Sequence, residues 1–175
     1  MKKEINSRKI FWVILALLFV IGIFFEKNIA DFLKTYRNPY IYSFMNFLSL
    51  YEFLIPLLVL VYILSTFYKK NNIVKYPLSI LITITFVYLL KTIISKQRPL
   101  SDELNSFPSN HSAVVFSVLP FINKKYRIIW LTFSSLVAFS RLYLGRHFLT
   151  DVIAGIVLGL VIGFYTDKII EKKLK

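Results

Sequence analysis

The chain holds two histidines and no cysteine, and each histidine stands among residues that extend its chemistry. One segment reads Ser140-Arg141-Leu142-Tyr143-Leu144-Gly145-Arg146-His147-Phe148-Leu149-Thr150-Asp151. If a helix begins near His147, then Asp151 is its i+4 neighbour on the same face. A carboxylate that accepts the proton of one imidazole nitrogen fixes the tautomer and leaves the lone pair of the other nitrogen free to attack. That makes an activated nucleophile; a structural His–Asp hydrogen bond closing the helix start is the competing reading. A second segment, Phe107-Pro108-Ser109-Asn110-His111-Ser112, precedes an apolar run. Ser109 or Asn110 can cap a helix there and leave backbone N–H groups facing the loop, where they attract anions. An ordinary cap with an interfacial His111 is the alternative. A third segment sets Lys91 inside apolar Val87-Tyr88-Leu89-Leu90-Lys91-Thr92-Ile93-Ile94. An ionisable side chain costs about 2.5–3.5 kcal/mol at the centre of a membrane span, so it needs a reason to be there. Lys91 precedes Arg98-Pro99 by seven residues, about two helical turns, which places Lys91 and Arg98 on one face before Pro99 stops the helix. A lysine snorkelling to the headgroups is the plainer account.

The elements that must position these residues are membrane helices. The 175 residues are 57% hydrophobic with a mean hydropathy of +0.63, more apolar than a water-soluble domain of this size needs for one core. Cysteine is absent, which excludes disulfides, a thiolate nucleophile and cysteine-based zinc or iron–sulfur sites. A net charge of +13 excludes an acidic disordered tail. The length fits one integral-membrane domain, residues 1–175, without repeats or low-complexity stretches.

Counting apolar runs between charges predicts an all-α protein with six transmembrane helices in one bundle. The runs are Ile10 to Phe25, Phe53 to Tyr68, Pro77 to about Ser95, Ser112 to Ile122 (long enough if its helix begins near Ser109), Ile128 to Leu144 and Thr150 to Tyr165. No small-x-small cleavage site follows Phe25, so the first run reads as a retained span rather than a signal peptide. Asn28 to Leu50 reads as an amphipathic helix at the interface between the first two spans. Of the 22 Lys and Arg residues, fourteen fall on the side that carries the termini and eight on the other. Both termini are therefore expected in the cytoplasm, with the three segments above at the outer face. The basic excess is read as topological rather than as a nucleic-acid site.

Together the segments supply the cations Lys91, Arg98 and Arg141, the amides of a helix start, two histidines and one aspartate. Phosphoryl transfer needs such a set, because charge spread over three equatorial oxygens must be held by fixed donors. The set resembles the type-2 phosphatidic acid phosphatases, whose signature is K-x6-R-P, then P-S-G-H, then S-R-x5-H-x3-D. Lys91 to Pro99 and Ser140 to Asp151 match the outer two parts in full. Pro108-Ser109-Asn110-His111 departs at the glycine; Asn tolerates left-handed backbone angles better than most residues, so the loop is expected to keep its shape. The resemblance implies that His147 attacks phosphorus and becomes a phosphohistidine, that Asp151 orients it, and that His111 protonates the leaving oxygen and later activates water. It implies that Lys91, Arg98, Ser109, Arg141 and the amide near Asn110 hold the phosphate, with no cofactor and no metal. Asp102 and Glu103 are too few for a two-metal cluster and read as a solvated loop.

A phosphate site built from span ends favours a lipid whose tails stay in the bilayer and which enters laterally between helices. Similar bacterial enzymes act on phosphatidylglycerol phosphate, undecaprenyl pyrophosphate or the 1-phosphate of lipid A, and the small size of the chain favours the last two. The expected partners are the lipid substrate and the bilayer of the cytoplasmic membrane, with no obligatory protein partner. Gly155, Gly159 and Gly163 form a smooth stripe that suits packing within the bundle more than a dimer seam. Three rivals bear weighing. A vanadate-dependent haloperoxidase would use the same site, but those relatives are soluble. A transporter would bury its charges near the midplane, and a non-catalytic lipid-phosphate binder would not need the His147–Asp151 pair.

Overall fold

The computed structural model describes residues 2–173, with the side chains of residues 2–9, 11 and 12 outside that description. The topological reading of Lys2, Lys3, Arg8, Lys9 and Lys175 therefore falls on side chains outside the described set. Among the described residues all regular structure is helical: α1 (Lys2–Thr35), α2 (Pro39–Leu48), α3 (Tyr51–Tyr68), α4 (Asn72–Ile94), α5 (Asn110–Ser117), α6 (Arg127–Tyr143) and α7 (Leu149–Lys173), with two single 3₁₀ turns between α5 and α6.

Four helices are long and apolar enough to cross a membrane: Val13–Thr35, Tyr51–Tyr68, Asn72–Ile94 and Leu149–Lys173. The expected six is not reached by length and apolarity. Helix α5 has 8 residues and α6 has 17, about 12 and 26 Å at 1.5 Å per residue against a hydrocarbon core of about 30 Å. The reason is position. Helix α5 lies inside the bundle against α4, α6 and α7, and every residue from His111 to Ser117 is buried. Its length answers to protein neighbours rather than to lipid thickness. Exposed apolar residues instead lie on the surrounding helices, among them Phe24 of α1, Phe67 of α3, Ile93 of α4, Ile128 of α6 and Phe164 of α7.

A helix that ends inside a bundle leaves carbonyls without intrahelical partners. Here side chains of neighbouring helices supply the donors. Trp130 Nε1 and Ser134 Oγ donate to the Val115 carbonyl at 2.9 and 3.3 Å, and Ser79 Oγ donates to that of Ser117 at 3.2 Å. The close approach of α7 comes from the glycine stripe. A Cβ built on Gly155, Gly159 or Gly163 would lie 2.5, 2.1 or 2.2 Å from the carbonyl oxygens of Ser109, Ala113 and Ser117. The stripe therefore seats α5 within the chain.

Two boundaries differ from the sequence expectation. Residues 28–35 continue α1 instead of forming an interfacial helix, because no Pro or Gly interrupts them; the short α2 begins only at Pro39, capped by Asn38 Oδ1, which accepts from the N–H groups of Tyr40 and Ile41. Helix α4 stops at Ile94, before Arg98, because Ser95 adopts a left-handed conformation with φ of 44°. Lys91 and Arg98 therefore do not share a helical face.

Candidate functional site

The three signature segments meet at one end of the bundle. Lys91 of α4, Arg98 of the following loop, Asn110 and His111 of α5, Arg141 of α6 and His147 of the α6–α7 turn line a cavity of about 190 Å³, completed by Tyr51, Ile84, Val87 and Tyr88. Lys91 reaches this cavity, and its ammonium donates to the carbonyls of Asn105 and Ser106.

The α6–α7 turn places His147. The Arg141 carbonyl accepts from the N–H groups of Arg146 and His147 at 3.0 and 3.2 Å, folding the turn back on the end of α6. Gly145 makes this possible with φ of +68°, and any Cβ there would lie 2.2 Å from Leu100 Cδ1. Helix α7 begins at Leu149, two residues later than the helix start considered for His147, yet the i+4 relation survives. Asp151 Oδ2 lies 3.7 Å from His147 Nδ1 and accepts the Phe148 N–H at 2.9 Å, closing the first turn of α7. The Nδ1 edge of the ring thus faces Asp151 and Ser106 Oγ, which is 3.5 Å away. A proton on Nδ1, the nitrogen beside the carboxylate, leaves the free lone pair on Nε2. Burial holds the His147 ring well below the ordinary histidine range, at about 4; the Asp151 contact opposes this and the Arg141 charge reinforces it.

His111 is held from the opposite side. Its Nε2 donates to the Ser49 carbonyl at 3.0 Å, and its ring stacks on Tyr51 with centroids 4.7 Å apart. The exchangeable position on this ring is therefore Nδ1. Three buried polar atoms of cavity-lining residues have no hydrogen-bond partner among the described residues: Arg98 Nε, Arg141 Nε and Asn110 Oδ1. Arg98 Nε stands 3.2 Å from the exposed Glu103 carboxylate without hydrogen-bond alignment. Two guanidinium Nε groups without hydrogen-bond partners among the described residues, beside a lysine, suit an anion with several oxygens.

Ser109 lies outside the cavity lining. It is the N-cap of α5 by backbone geometry, without a side-chain cap; its N–H donates to the Asp151 carbonyl at 2.9 Å and its Oγ accepts from Ser112 Oγ at 3.0 Å. Asn110, which replaces the signature glycine, is the first residue of α5 and is not among the positive-φ residues, so no left-handed geometry is demanded of it.

Residues 72–175 match the PAP2 superfamily pattern. The chain belongs to the PAP2 superfamily. Phosphatidylglycerophosphatase B of Bacillus subtilis (strain 168) is 32% identical to it over 162 residues, 79% of each chain. The lipid A 4'-phosphatase of Porphyromonas gingivalis is 37% identical over 68 residues, 36% of this chain and 29% of that protein. The crystal structure of a transmembrane PAP2-type phosphatidylglycerolphosphate phosphatase from Bacillus subtilis superposes with a TM-score of 0.70 at 27% identity, covering 91% of this chain and 96% of that one. The protein is thus a multi-pass membrane protein of a lipid phosphatase family.

Four contributors around the PAP2 cavity escaped sequence reasoning: Ser49, Tyr51, Lys96 and Ser106. Ser49 and Tyr51 stand far from the signature in sequence and carry no spacing signal. Lys96 lies within K-x6-R-P but counted only as an outer charge. Ser106 is one of many serines.

Proposed function

We propose that the protein is a metal-independent membrane lipid phosphatase working through a phosphohistidine. The observation that carries this reading is the meeting of Lys91, Arg98, Arg141, His111 and His147 around one cavity, with a buried carboxylate behind His147. Lys91, Arg98, Arg141 and the start of α5 at Asn110 hold the phosphate oxygens, with Ser109 supporting that helix start. His147 Nε2 attacks phosphorus: the N–P bond forms, the ester P–O bond breaks, and His111 Nδ1 delivers a proton to the leaving oxygen. The Ser49 carbonyl, by accepting from Nε2, holds the ring so that Nδ1 is the position that exchanges this proton. Asp151 balances the positive charge that develops on the His147 ring. In the second step His111 takes a proton from water, the new hydroxide attacks phosphorus, and the N–P bond breaks to release inorganic phosphate.

The lipid character of the substrate is supported by a second cavity. A groove of about 460 Å³ between α3 and α4, lined by apolar residues that include Leu58, Ile80 and Val114, shares Tyr51, Ile84, Asn110 and His111 with the phosphate cavity. A phosphate in the polar cavity can therefore carry its chain into the apolar one. Of the three candidate substrates, phosphatidylglycerol phosphate takes precedence over lipid A 1-phosphate and undecaprenyl pyrophosphate, because the relative covering most of the chain is named for phosphatidylglycerophosphate. In this reading α5 with its 3₁₀ turn and α6 complete six crossings in the cytoplasmic membrane. The termini and the basic end then face the cytoplasm and the cavity faces outward.

Purified protein in detergent with EDTA, given each of the three lipids and phosphatidate, tests the proposal by released phosphate. His147→Ala and His111→Ala are expected to abolish release while the protein still folds in detergent. Normal turnover by His147→Ala would overturn the mechanism, and inactive wild-type protein that still binds lipid phosphate would mark a binding protein. Metal dependence would count against it as well.

A further inference from the structure

Asp151 is fully buried, and two of the side chains that hold it, Lys96 and Ser106, take no part in the steps above. Lys96 Nζ lies 3.0 Å from Asp151 Oδ1, 2.7 Å from Glu26 Oε2 of α1 and 2.9 Å from Thr150 Oγ1, above the Phe148 ring. Ser106 Oγ donates to Asp151 Oδ2 at 2.5 Å. That is the oxygen that faces His147 Nδ1, and Ser106 Oγ is itself 3.5 Å from Nδ1. The two holders support each other, since Ser106 N–H donates to the Lys96 carbonyl at 2.8 Å. Left-handed residues bracket the segment, Ser95 with φ of 44° and Asn105 with φ of 68°. Lys91 donates to the Ser106 carbonyl from the other side, so this loop touches both the phosphate cations and the carboxylate.

We infer that Lys96, backed by Glu26, and Ser106 are positioning residues that set the orientation and charge balance of Asp151 and, through it, the nitrogen that His147 presents to phosphate. The inference rests on the roles given to His147 and Asp151 above. Its physical basis is that a carboxylate buried without compensation is costly. Lys96 compensates one oxygen and leaves the other to be shared by Ser106, the Phe148 N–H and His147. Glu26 draws part of the Lys96 charge away, so Asp151 keeps enough field to hold the His147 proton. Glu26 also lies outside the segment matched to the family, residues 72–175. The clamp thereby couples α1 to the phosphate cavity.

With two histidines in the chain, ¹⁵N-histidine NMR of the full chain in detergent yields two titrations, assigned with His111→Gln. The charged and titratable groups facing His147 are Asp151 of α7, Lys91 of α4, His111 of α5, Arg141 of α6, Lys96 and Arg98 of the loop, and Glu26 of α1 behind Lys96. Lys96→Gln removes a cation beside Asp151 and strengthens its field on the ring, so the His147 midpoint is expected to rise by about one pH unit. On dioctanoyl phosphatidate, kcat should fall about tenfold with KM little changed, and Lys96→Arg should restore it. Ser106→Ala should also raise the midpoint, whereas Glu26→Gln, which returns charge to Lys96, should lower it. Opposite signs are not expected of side chains that merely brace the fold. Unmoved midpoints, or a KM rise at constant kcat that makes Lys96 a substrate ligand, would overturn the inference. If Lys96→Gln yields no folded protein, the Ser106→Ala and Glu26→Gln pair decides, and shifts of the same sign count against it. Turnover by His147→Ala would sink the underlying mechanism together with the clamp; a dead His147→Ala with unmoved titrations sinks the clamp alone.

Discussion

Arg141 combines burial, a guanidinium Nε without a partner among the described residues, and a backbone carbonyl that folds the His147 turn. Its side chain and main chain thus serve two purposes, and substitution separates them. Arg141→Lys keeps the charge and the turn but loses the planar fork. Charged hydrogen bonds are worth about 1.5–3 kcal/mol each, so kcat/KM for a lipid phosphate is expected to fall about 10- to 100-fold. Phosphate release across a substrate series measures this, and unchanged kcat/KM would remove Arg141 from the oxygen contacts. His147 makes a prediction about stability. Its folded value of about 4 lies below the ordinary 6.5, so the unfolded chain takes up the proton first as pH falls and draws the equilibrium toward itself. The melting temperature in detergent should therefore decline from about pH 6.5 toward pH 4, and decline less in His147→Gln. Equal slopes in the two proteins would contradict the buried neutral ring. The His147–Asp151 relation was legible because i to i+4 is a local distance. Lys96 and Ser106 were not, because their roles come from contacts 55 and 45 residues away in the chain.

Helix α5 is the element on which the site turns. It is too short to span by itself, and its start delivers Asn110 and His111 while its end relies on Trp130, Ser134 and Ser79 for donors. Its seat against α7 needs the glycine stripe, most severely at Gly159, where a methyl group would meet the Ala113 backbone at 2.1 Å. Backbone cannot yield as a flexible side chain can. Gly159→Ala should therefore cost at least the ~1–3 kcal/mol typical of overpacking and lower the detergent melting temperature by several degrees. Val161→Ala, on the exposed face of the same helix, should leave it nearly unchanged. Equal melting of the two variants would mean that α5 and α7 are less tightly joined than the carbonyl contacts require. The stripe itself was visible in the sequence. Its partner was not, because a four-residue glycine spacing fits any closely approaching helix, in this chain or another.

Across the whole molecule, polarity is divided between two ends. One end carries the phosphate cavity. The other carries Lys75, with its side chain fully buried and 2.7 Å from Asp167, and Lys69, 2.7 Å from Glu171, so that α7 is fastened to the α3–α4 junction. Between them the α3–α4 groove opens beside the phosphate cavity. Leu58→Trp, which fills that groove, should slow hydrolysis of dioleoyl substrates several-fold and leave dioctanoyl substrates in detergent much less affected. Equal slowing of both would place the chain elsewhere.

The order of residues was enough to determine the membrane class, the helical architecture, the family signature and the local pairing of His147 with Asp151. Each of these depends on composition or on separations of a few residues, which a helix converts directly into distance. The tertiary structure alone decided that α4 ends before Arg98, that Ser109 stands behind the cavity, that α5 is enclosed by protein rather than lipid, and that Glu26 and Lys96 reach Asp151. Those outcomes depend on which helices pack together and on loop residues such as Ser95 and Gly145 that turn the chain. Packing of that kind is set by many weak contacts acting jointly and leaves no periodic mark in the sequence.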